Sequence, residues 1–371
     1  MEIRPARLSD LSALLALEEA GFETDRFSRR SLRHLLTRAH ASTFVAEDEG
    51  VVVGYATVLF NRGTALARLY SIAVDPARRG QGIGDLLLAH AEETALEAGC
   101  VVLRLEVHAE NRAAHRLYRR HGFREFGRHL DYYEDHGDAI RMEKLLVPER
   151  PPVLPVPYYR QTLEFTCGAA ALLMALRGLD RSYEATRVSE LRLWREATSI
   201  FMTAGHGGCG PHGLALAAAR RGFRASVHGA SEGDAMFVES VRSEEKREVI
   251  RLVEADFREQ LAELGVVVDP AALSAEDLRD AIDRGAVPVV LISLYRLALE
   301  RMPHWVTVTG VDDHFVYVHD PWVDPEGTRT LAESANVPIA RSEFEGMARY
   351  GRRAQRAAVL ISLRKRGTGF G

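Results

Sequence analysis

The sequence predicts two consecutive domains, an α/β domain followed by an α+β domain, and three observations carry this prediction. An apolar strand-like run from Ala67 to Val74 passes through a glycine-rich loop into a helix-like run from Asp85 to Ala98, which is the strand–loop–helix order of α/β folds. Five prolines among positions 148 to 157 cannot continue a helix or a central strand. Beyond them an Ala- and Leu-rich helix opens at Cys167, and a predicted two-stranded hairpin begins at His304.

The loop of the first domain reads Arg78-Arg79-Gly80-Gln81-Gly82-Ile83-Gly84. Its glycines let the backbone fold tightly, so that several N–H groups converge, and the helix that follows adds its unpaired first amides and the positive end of its dipole. Together these groups can bind a pyrophosphate. The spacing excludes two common phosphate loops, since the loop has no Gly-Lys-Ser/Thr and its glycines do not follow G-x-G-x-x-G. A strand–turn–helix junction without a ligand stays open as the alternative.

The loop also fits R-x-x-G-x-G, and the chain downstream adds N-x-x-A from Asn111, Leu117-Tyr118 and Gly122-Phe123. By these motifs residues 1–147 resemble the GNAT-family N-acetyltransferases. The resemblance is greatest to the ribosomal-protein-alanine acetyltransferase group, because of Glu106, Tyr118 and the later segments Asp131-Tyr132-Tyr133 and Asp138-Ala139-Ile140-Arg141-Met142. The resemblance implies a mixed sheet flanked by helices and acetyl-coenzyme A as co-substrate. The cofactor-binding residues that it implies are Ile72, Val74, Arg79, Gly80, Gln81, Gly82, Ile83, Gly84 and Asn111.

Acetyl transfer needs a base that takes a proton from the amine and an acid that protonates the leaving thiolate. By the resemblance, Glu106 at a strand end is the base, directly or through a water, and Tyr118 is the acid. The backbone from Ile72 to Val74 is expected to pair with the pantetheine arm as an added strand would. The alternatives are a solvated strand glutamate and a packed helix tyrosine.

Composition limits the other functions. The 371 residues suggest two domains, and a formal charge of −4 gives no basic surplus, so we expect no nucleic-acid partner. The chain has no apolar run of about 18 residues and no apolar core behind Met1-Glu2-Ile3-Arg4, which predicts neither a membrane span nor a signal peptide. Its three cysteines, Cys100, Cys167 and Cys209, are therefore expected to be reduced thiols in the cytoplasm. The sequence carries no signal for an oligomeric state.

The proline-rich segment 148–157 is predicted to be a stiff, extended linker, and a second domain is predicted over 158–366. Cys167 opens a helix in which Ala, Leu and Met run on to Leu176, with Gly178 as the expected stop. A thiol at a helix N-terminus is favoured as thiolate, the nucleophilic form. A small buried residue that opens a core helix is the alternative.

Far downstream, two predicted strands start at His304 and Phe315 and meet at a turn at Asp312-Asp313. His304 begins the first strand and Asp320 follows the second, so the two residues can meet although they are sixteen positions apart. The aspartate would then hold the imidazole, which would serve the thiol of Cys167.

These features, with Gln161 six residues before Cys167, resemble the papain-like cysteine peptidases of the bacteriocin-processing type, which cut leader peptides. The resemblance implies a papain-like α+β domain in which Cys167, His304 and Asp320 are catalytic and Gln161 is an oxyanion-hole donor. A glycine-rich loop with His206, Cys209 and His212 has metal-like spacing, but we expect it to shape the cleft and predict no metal. An insert over 231–272 is expected to act as a lid or a substrate-reading arm.

The sequence thus predicts a bifunctional enzyme that acetylates the N-terminal amine of a peptide or protein and hydrolyses a peptide bond through a cysteine nucleophile. Two alternatives stay open for the second domain. It can be an inactive module that only binds the peptide, or it can pass its acyl group from Cys167 to an amine instead of water.

Overall fold

A computed structural model describes residues 1–22, 24–147, 153–198, 207–230, 236, 238, 241, 243–298, 302–322, 333–351 and 353–364. The chain divides into two compact units, Met1–Arg150 and Pro151–Gly371. None of the helices in these ranges combines the length and the apolarity that a membrane span requires.

The first unit is a seven-stranded mixed sheet with helices. Its strands are β1 (Glu2–Pro5), β2 (Ala41–Asp48), β3 (Val51–Phe60), β4 (Leu66–Val74), β5 (Val102–His108), β6 (Arg124–His129) and β7 (Ala139–Leu145), in the order β1-β2-β3-β4-β5-β7-β6. Its helices are α1 (Leu11–Gly21), α2 (Arg29–Thr37), α3 (Ile83–Glu97) and α4 (Arg112–Arg120). The strand and helix expected on either side of the glycine loop are β4 and α3.

The central strands β4 and β5 run parallel but separate after a short contact. They pair only from Leu66 to Arg68 against Val102 to Arg104. Beyond Arg68, β4 stays paired with β3, and β5 stays paired with β7. Since the outer partners hold the two strands apart, a fork opens in the middle of the sheet.

Helix α3 connects β4 to β5, as a parallel pair requires. One face of α3 buries Ile83, Leu87, Leu88, Ala91 and Ala95 against the sheet, positions whose mutual spacing of three or four residues, with one adjacent pair, places them on one side of a helix. This packing fixes the N-terminus of α3, and with it the glycine loop, beside the end of β4.

The second unit is built around another seven-stranded sheet. Its strands are β8 (Arg224–His228), β9 (Val267–Asp269), β10 (Val287–Ser293), β11 (Pro303–Val311), β12 (Phe315–His319), β13 (Val337–Ala340) and β14 (Ala358–Ser362), in the order β13-β12-β11-β10-β14-β8-β9. Its helices are α5 (Cys167–Leu179), α6 (Arg187–Ala197), α7 (Pro211–Arg220), α8 (Glu244–Glu263), α9 (Ala275–Asp283), α10 (Tyr295–Ala298) and α11 (Arg341–Met347).

Helix α5 is the central helix of this unit. Every side chain from Ala169 to Leu176 is fully buried, and the Thr307 hydroxyl on β11 donates to the carbonyl of Ala171 at 2.8 Å. The expected stop at Gly178 is wrong, because the helix continues to Leu179. A Cβ at Gly178 would lie 2.8 Å from Cγ2 of Val156, so the glycine serves the close approach of the preceding segment.

The insert expected to be a lid or an arm is packed into this unit in its described part. Its helix α8 buries Phe257 and Leu261 in the main core, and β9 adds an edge strand to the sheet beside β8. The buried Glu254 of α8 also bonds Nδ1 of His212 on α7. These contacts fix α8 and β9 to the core.

Candidate active sites

The first candidate site is the glycine loop at the start of α3. Gly82 caps the helix with φ of 78°, and Gly80 has φ of 80°. A Cβ built at either glycine would meet nothing within 4 Å. Within the described chain, none of the backbone amides from Gly80 to Asp85 donates a hydrogen bond. These free donors and the positive end of the helix dipole favour an anion.

The edge of β4 continues this site into the fork. From Leu69 to Val74 the side of β4 that faces β5 has no strand partner in the described residues. Ile72 and Val74, both half-buried, belong to this stretch. Arg79 is exposed beside it, whereas Arg78 pairs with Asp48.

Glu106 lies on β5 just past the point where the strands separate. It is not a solvated side chain, since its carboxylate is only 5% exposed and lies 2.8 Å from Nε of Arg68, itself 6% exposed. Arg68 also donates from Nη2 to the Tyr132 hydroxyl at 3.1 Å and lies over the Tyr70 ring at 5.0 Å. Sequence reasoning named Tyr132 only as part of a motif and missed Arg68, because no local pattern marks a partner 38 residues from Glu106.

The other two residues predicted for this domain are Tyr118, which lies on α4, and Asn111, which immediately precedes that helix. Tyr118 is 5% exposed, and burial raises its pKa above the usual range of a phenol. Asn111 caps α4, because its side-chain oxygen accepts from the amide of Ala114 at 3.1 Å. The side-chain oxygen of Asn111 therefore already accepts a hydrogen bond within the helix cap.

The second candidate site joins α5 to the β11–β12 hairpin. Cys167 is the first residue of α5, and Nε2 of His304 lies 2.6 Å from Oδ1 of Asp320. Asp320 is fully buried, and its Oδ1 also accepts from the amide of Trp322 at 2.9 Å. The Tyr158 hydroxyl donates to the Asp320 carbonyl at 2.9 Å. The structure therefore brings the predicted imidazole and carboxylate together.

The electrostatics of this site favour an ion pair. Burial by itself would lower the pKa of His304, but the charge and hydrogen bond of Asp320 raise it to about 10. Burial by itself would raise the pKa of the Cys167 thiol, but the hydrogen bond and charge of His304 lower it below the usual 9. The amides of Gly168 and Trp305 assist in this lowering. Both shifts favour the thiolate–imidazolium pair over the neutral pair.

Gln161, six residues before Cys167, is buried, but its side-chain amide already has hydrogen-bond partners. Nε2 donates to the carbonyl of Leu163 at 2.9 Å and to that of Glu164 at 3.2 Å. Its backbone amide donates to the carbonyl of Pro321 at 2.9 Å, which ties it to the residue after Asp320. An oxyanion would have to replace the longer of the two side-chain bonds.

The structure describes only part of the glycine-rich loop with metal-like spacing, since His206 lies outside the described residues. Cys209 is buried, and its carbonyl accepts from Nε1 of Trp305 at 3.0 Å. Burial raises the pKa of its thiol. In the ranges that the structure describes, no three potential ligands meet in a group that could hold a metal ion.

We expect Cys167 to be alkylated at a lower pH than an ordinary thiol, whose pKa is about 9. In His304→Gln the effect of the imidazolium is removed and only the two backbone amides still oppose burial, so the pKa of the Cys167 thiol rises. The rate of iodoacetamide labelling against pH, followed by peptide mass, measures both values. Identical profiles for the two proteins would contradict the ion pair.

Comparisons with known proteins match both halves of the chain. Residues 156–362 match the Peptidase_C39 like family. Residues 9–123 match the Acetyltransferase (GNAT) family.

Individual relatives cover the first half. The [ribosomal protein bS18]-alanine N-acetyltransferase of Salmonella typhimurium is 43% identical over 100 residues, which is 26% of this chain and 65% of that protein. The thialysine N-epsilon-acetyltransferase of Bos taurus is 33% identical over 144 residues, 37% of this chain and 83% of that protein. A crystal structure of the ribosomal-protein-S18-alanine N-acetyltransferase from Escherichia coli is 28% identical and covers 41% of this chain and 97% of that chain, with a TM-score of 0.37.

Proposed function

This chain belongs to the Peptidase_C39 like family and carries a GNAT N-acetyltransferase domain, and from this premise we propose that it has two activities on peptides. The first unit transfers acetyl from acetyl-coenzyme A to the N-terminal amine of a peptide or protein. The second unit hydrolyses a peptide bond with Cys167 as nucleophile. The observation that carries the proposal is the pair of built sites, the fork with its free amides and the linked Cys167, His304 and Asp320.

The fork suits acetyl-coenzyme A in two respects. The oxygens of a diphosphate can accept hydrogen bonds from the free amides of Gly80 to Asp85. No side chain at Gly80 or Gly82 blocks the approach to this backbone. An amide-bearing arm can pair with the free edge of β4 around Ile72 and Val74. When bound there, the thioester supplies the acetyl group.

Two residues beyond the fork then transfer the protons of the reaction. Glu106 lies where the strands have separated, and its carboxylate takes the proton of the acceptor amine, directly or through a water. Tyr118 delivers its proton to the leaving sulfur. Arg68 holds Glu106 in place through the 2.8 Å contact. A peptide amine is the proposed acceptor because the Salmonella relative is named for an alanine of a ribosomal protein.

In the second unit, the Cys167 thiolate attacks the carbonyl carbon of the scissile peptide bond. A C–S bond forms as the π electrons of the C=O bond move onto the oxygen. Gln161 is the proposed donor to this oxygen. As the C–N bond breaks, the His304 imidazolium gives its proton to the leaving amine. Water then attacks the acyl-enzyme, His304 takes its proton, and the acid leaves as the thiolate returns. Asp320 keeps the imidazole oriented and stabilises its charge.

Cleavage creates a new N-terminal amine, the substrate of the first activity. We therefore expect the wild-type protein, given acetyl-coenzyme A and a peptide library, to yield fragments acetylated at the cut. Cys167→Ala is expected to give no such fragments, because it lacks the nucleophile, yet to acetylate the same fragments supplied ready-cut. Mass spectrometry resolves both changes in one sample.

Three other outcomes are informative in this experiment. Equal acetylation of uncut peptides by both proteins would show that the two activities are not sequential. A wild-type protein that acetylates but never cleaves would favour the peptide-binding alternative for the second unit. New amides formed with an added free amine would identify acyl transfer from Cys167 in place of hydrolysis.

A further inference from the structure

A buried carboxylate lies beside the segment that leads into Cys167. Glu190, in the first turn of α6, has no exposed surface. Its two oxygens accept from the Tyr159 hydroxyl at 2.9 Å, the Thr162 amide at 2.8 Å, the Thr162 hydroxyl at 2.7 Å and the Thr166 hydroxyl. The Thr166 hydroxyl also lies 2.9 Å from the Leu163 carbonyl oxygen, so its one proton is shared between two acceptors. Within the described residues, Glu190 forms no ion pair with a Lys, Arg or His side chain. Its partners are neutral groups.

The four donors share one segment, 159–166, which has no regular secondary structure. The segment contains Gln161, and its last residue, Thr166, is the N-cap of α5. At Gln161 the same segment is tied by its backbone to Pro321, next to Asp320. The approach to Cys167 is therefore held from one side by α6 and from the other by the end of the hairpin.

The donor set selects a carboxylate at this position. A buried charge is unfavourable unless its hydrogen-bonding capacity is met, and two carboxylate oxygens can accept all four of these bonds. A glutamine of the same shape has one acceptor oxygen and an NH₂ group. The Tyr159 and Thr162 hydroxyls, which both bond Oε2, would then have to accept instead of donate, and the charge that strengthens all four bonds would be lost.

We propose that Glu190 is a positioning residue of the cysteine site, holding segment 159–166 so that the Cys167 sulfur meets the His304 imidazole. The proposal rests on the cysteine chemistry proposed for the second unit. Glu190 acts through Thr162 and Thr166 and has no contact with the reacting atoms. Without its carboxylate the first turn of α5 shifts, and less thiolate forms at neutral pH.

Glu190→Gln in the full chain tests this. We expect the rate of iodoacetamide labelling at Cys167 to fall about tenfold at neutral pH, the change that one pKa unit produces. At high pH, where every accessible thiol is ionised, the rate should return to the wild-type value. Peptide mass separates the three cysteines, and Cys100 and Cys209, each 3% exposed, report any unfolding.

Glu196→Gln is the matched control, because Glu196 lies on the same helix and bonds Arg221 at 2.5 and 3.0 Å. It should keep the wild-type profile. Thr162→Val removes one hydroxyl donor at an exposed residue and should shift the profile in the same direction by less. It serves as the test if Glu190→Gln does not fold.

Two results would overturn the positioning role. One is a wild-type profile in both Glu190→Gln and Thr162→Val. The other is a rate that falls equally at every pH while Cys209 becomes labelled, since that would mean a purely structural role. Failure of the proposed function is distinguishable, because the wild-type thiol itself would then react only at ordinary high pH.

Discussion

Replacing His304 with glutamine is expected to lower peptide cleavage by about 1,000-fold or more, the usual size of losing the base of a nucleophile–base pair. The imidazole is the group that the structure connects to both Cys167 and Asp320. Glutamine can still donate a hydrogen bond to Asp320, so the buried carboxylate keeps a partner. Cleavage is measured by mass on the peptide found with the wild-type protein, and acetyl transfer to the same fragments supplied ready-cut should be unchanged.

The control for this change is His314→Gln, the same substitution at the exposed turn of the same hairpin. It should retain full cleavage. Asp320→Asn is expected to lose less than His304→Gln, because the amide oxygen can still accept from Nε2. Removing the charge that raises the His304 pKa to about 10 should move the alkaline limb of the cleavage profile to lower pH. An alkaline limb that stays in place would argue against this role of Asp320.

Gly82→Val is expected to raise KM for acetyl-coenzyme A by about tenfold or more, equivalent to roughly 1.4 kcal/mol of binding. Gly82 has φ of 78°, which a β-branched residue resists by roughly 1–3 kcal/mol. The added side chain would also fill the open space in front of the free amides. Initial rates of acetyl transfer against acetyl-coenzyme A concentration measure the effect.

Gly99→Val separates binding from stability. Gly99 follows the other end of α3, has the same φ of 78°, and likewise has nothing within 4 Å of a built Cβ. Both variants should lose similar thermal stability, since the backbone strain is the same. If both raise KM equally, the glycine loop has no special part in binding.

The sequence predicted the secondary structure around both sites because the signals there are local. Glycines followed by an apolar helix pattern predicted the loop before α3, and alternating apolar residues predicted the β11–β12 hairpin. Hairpin connectivity also predicted that His304 and Asp320 could meet, although they are not directly opposite. The last residue pair of the β11–β12 ladder on this side is Thr307 with His319. The His304 and Asp320 side chains meet beyond that pair.

Local signals failed where a second element changes the meaning of a residue. Gly178 looked like a helix stop, but it lies inside α5, and Val156 packs where its side chain would be. Gln161 was predicted as an oxyanion-hole donor, and no local pattern indicated that its side-chain amide also bonds the Leu163 and Glu164 carbonyls. The insert was expected to act as a lid or a substrate-reading arm, and the structure packs Phe257 and Leu261 of its helix α8 into the core.

By itself the sequence determined the two sets of motifs, the fold class and the residues able to do acid, base and nucleophilic chemistry, because each depends on neighbours along the chain. Only the tertiary structure decided what surrounds those residues. In the folded chain β4 separates from β5, Arg68 pairs with Glu106, and Glu190 accepts hydrogen bonds from the segment that precedes Cys167. These contacts join residues 24 to 38 positions apart, and packing between different elements brings such residues together where no short-range pattern can.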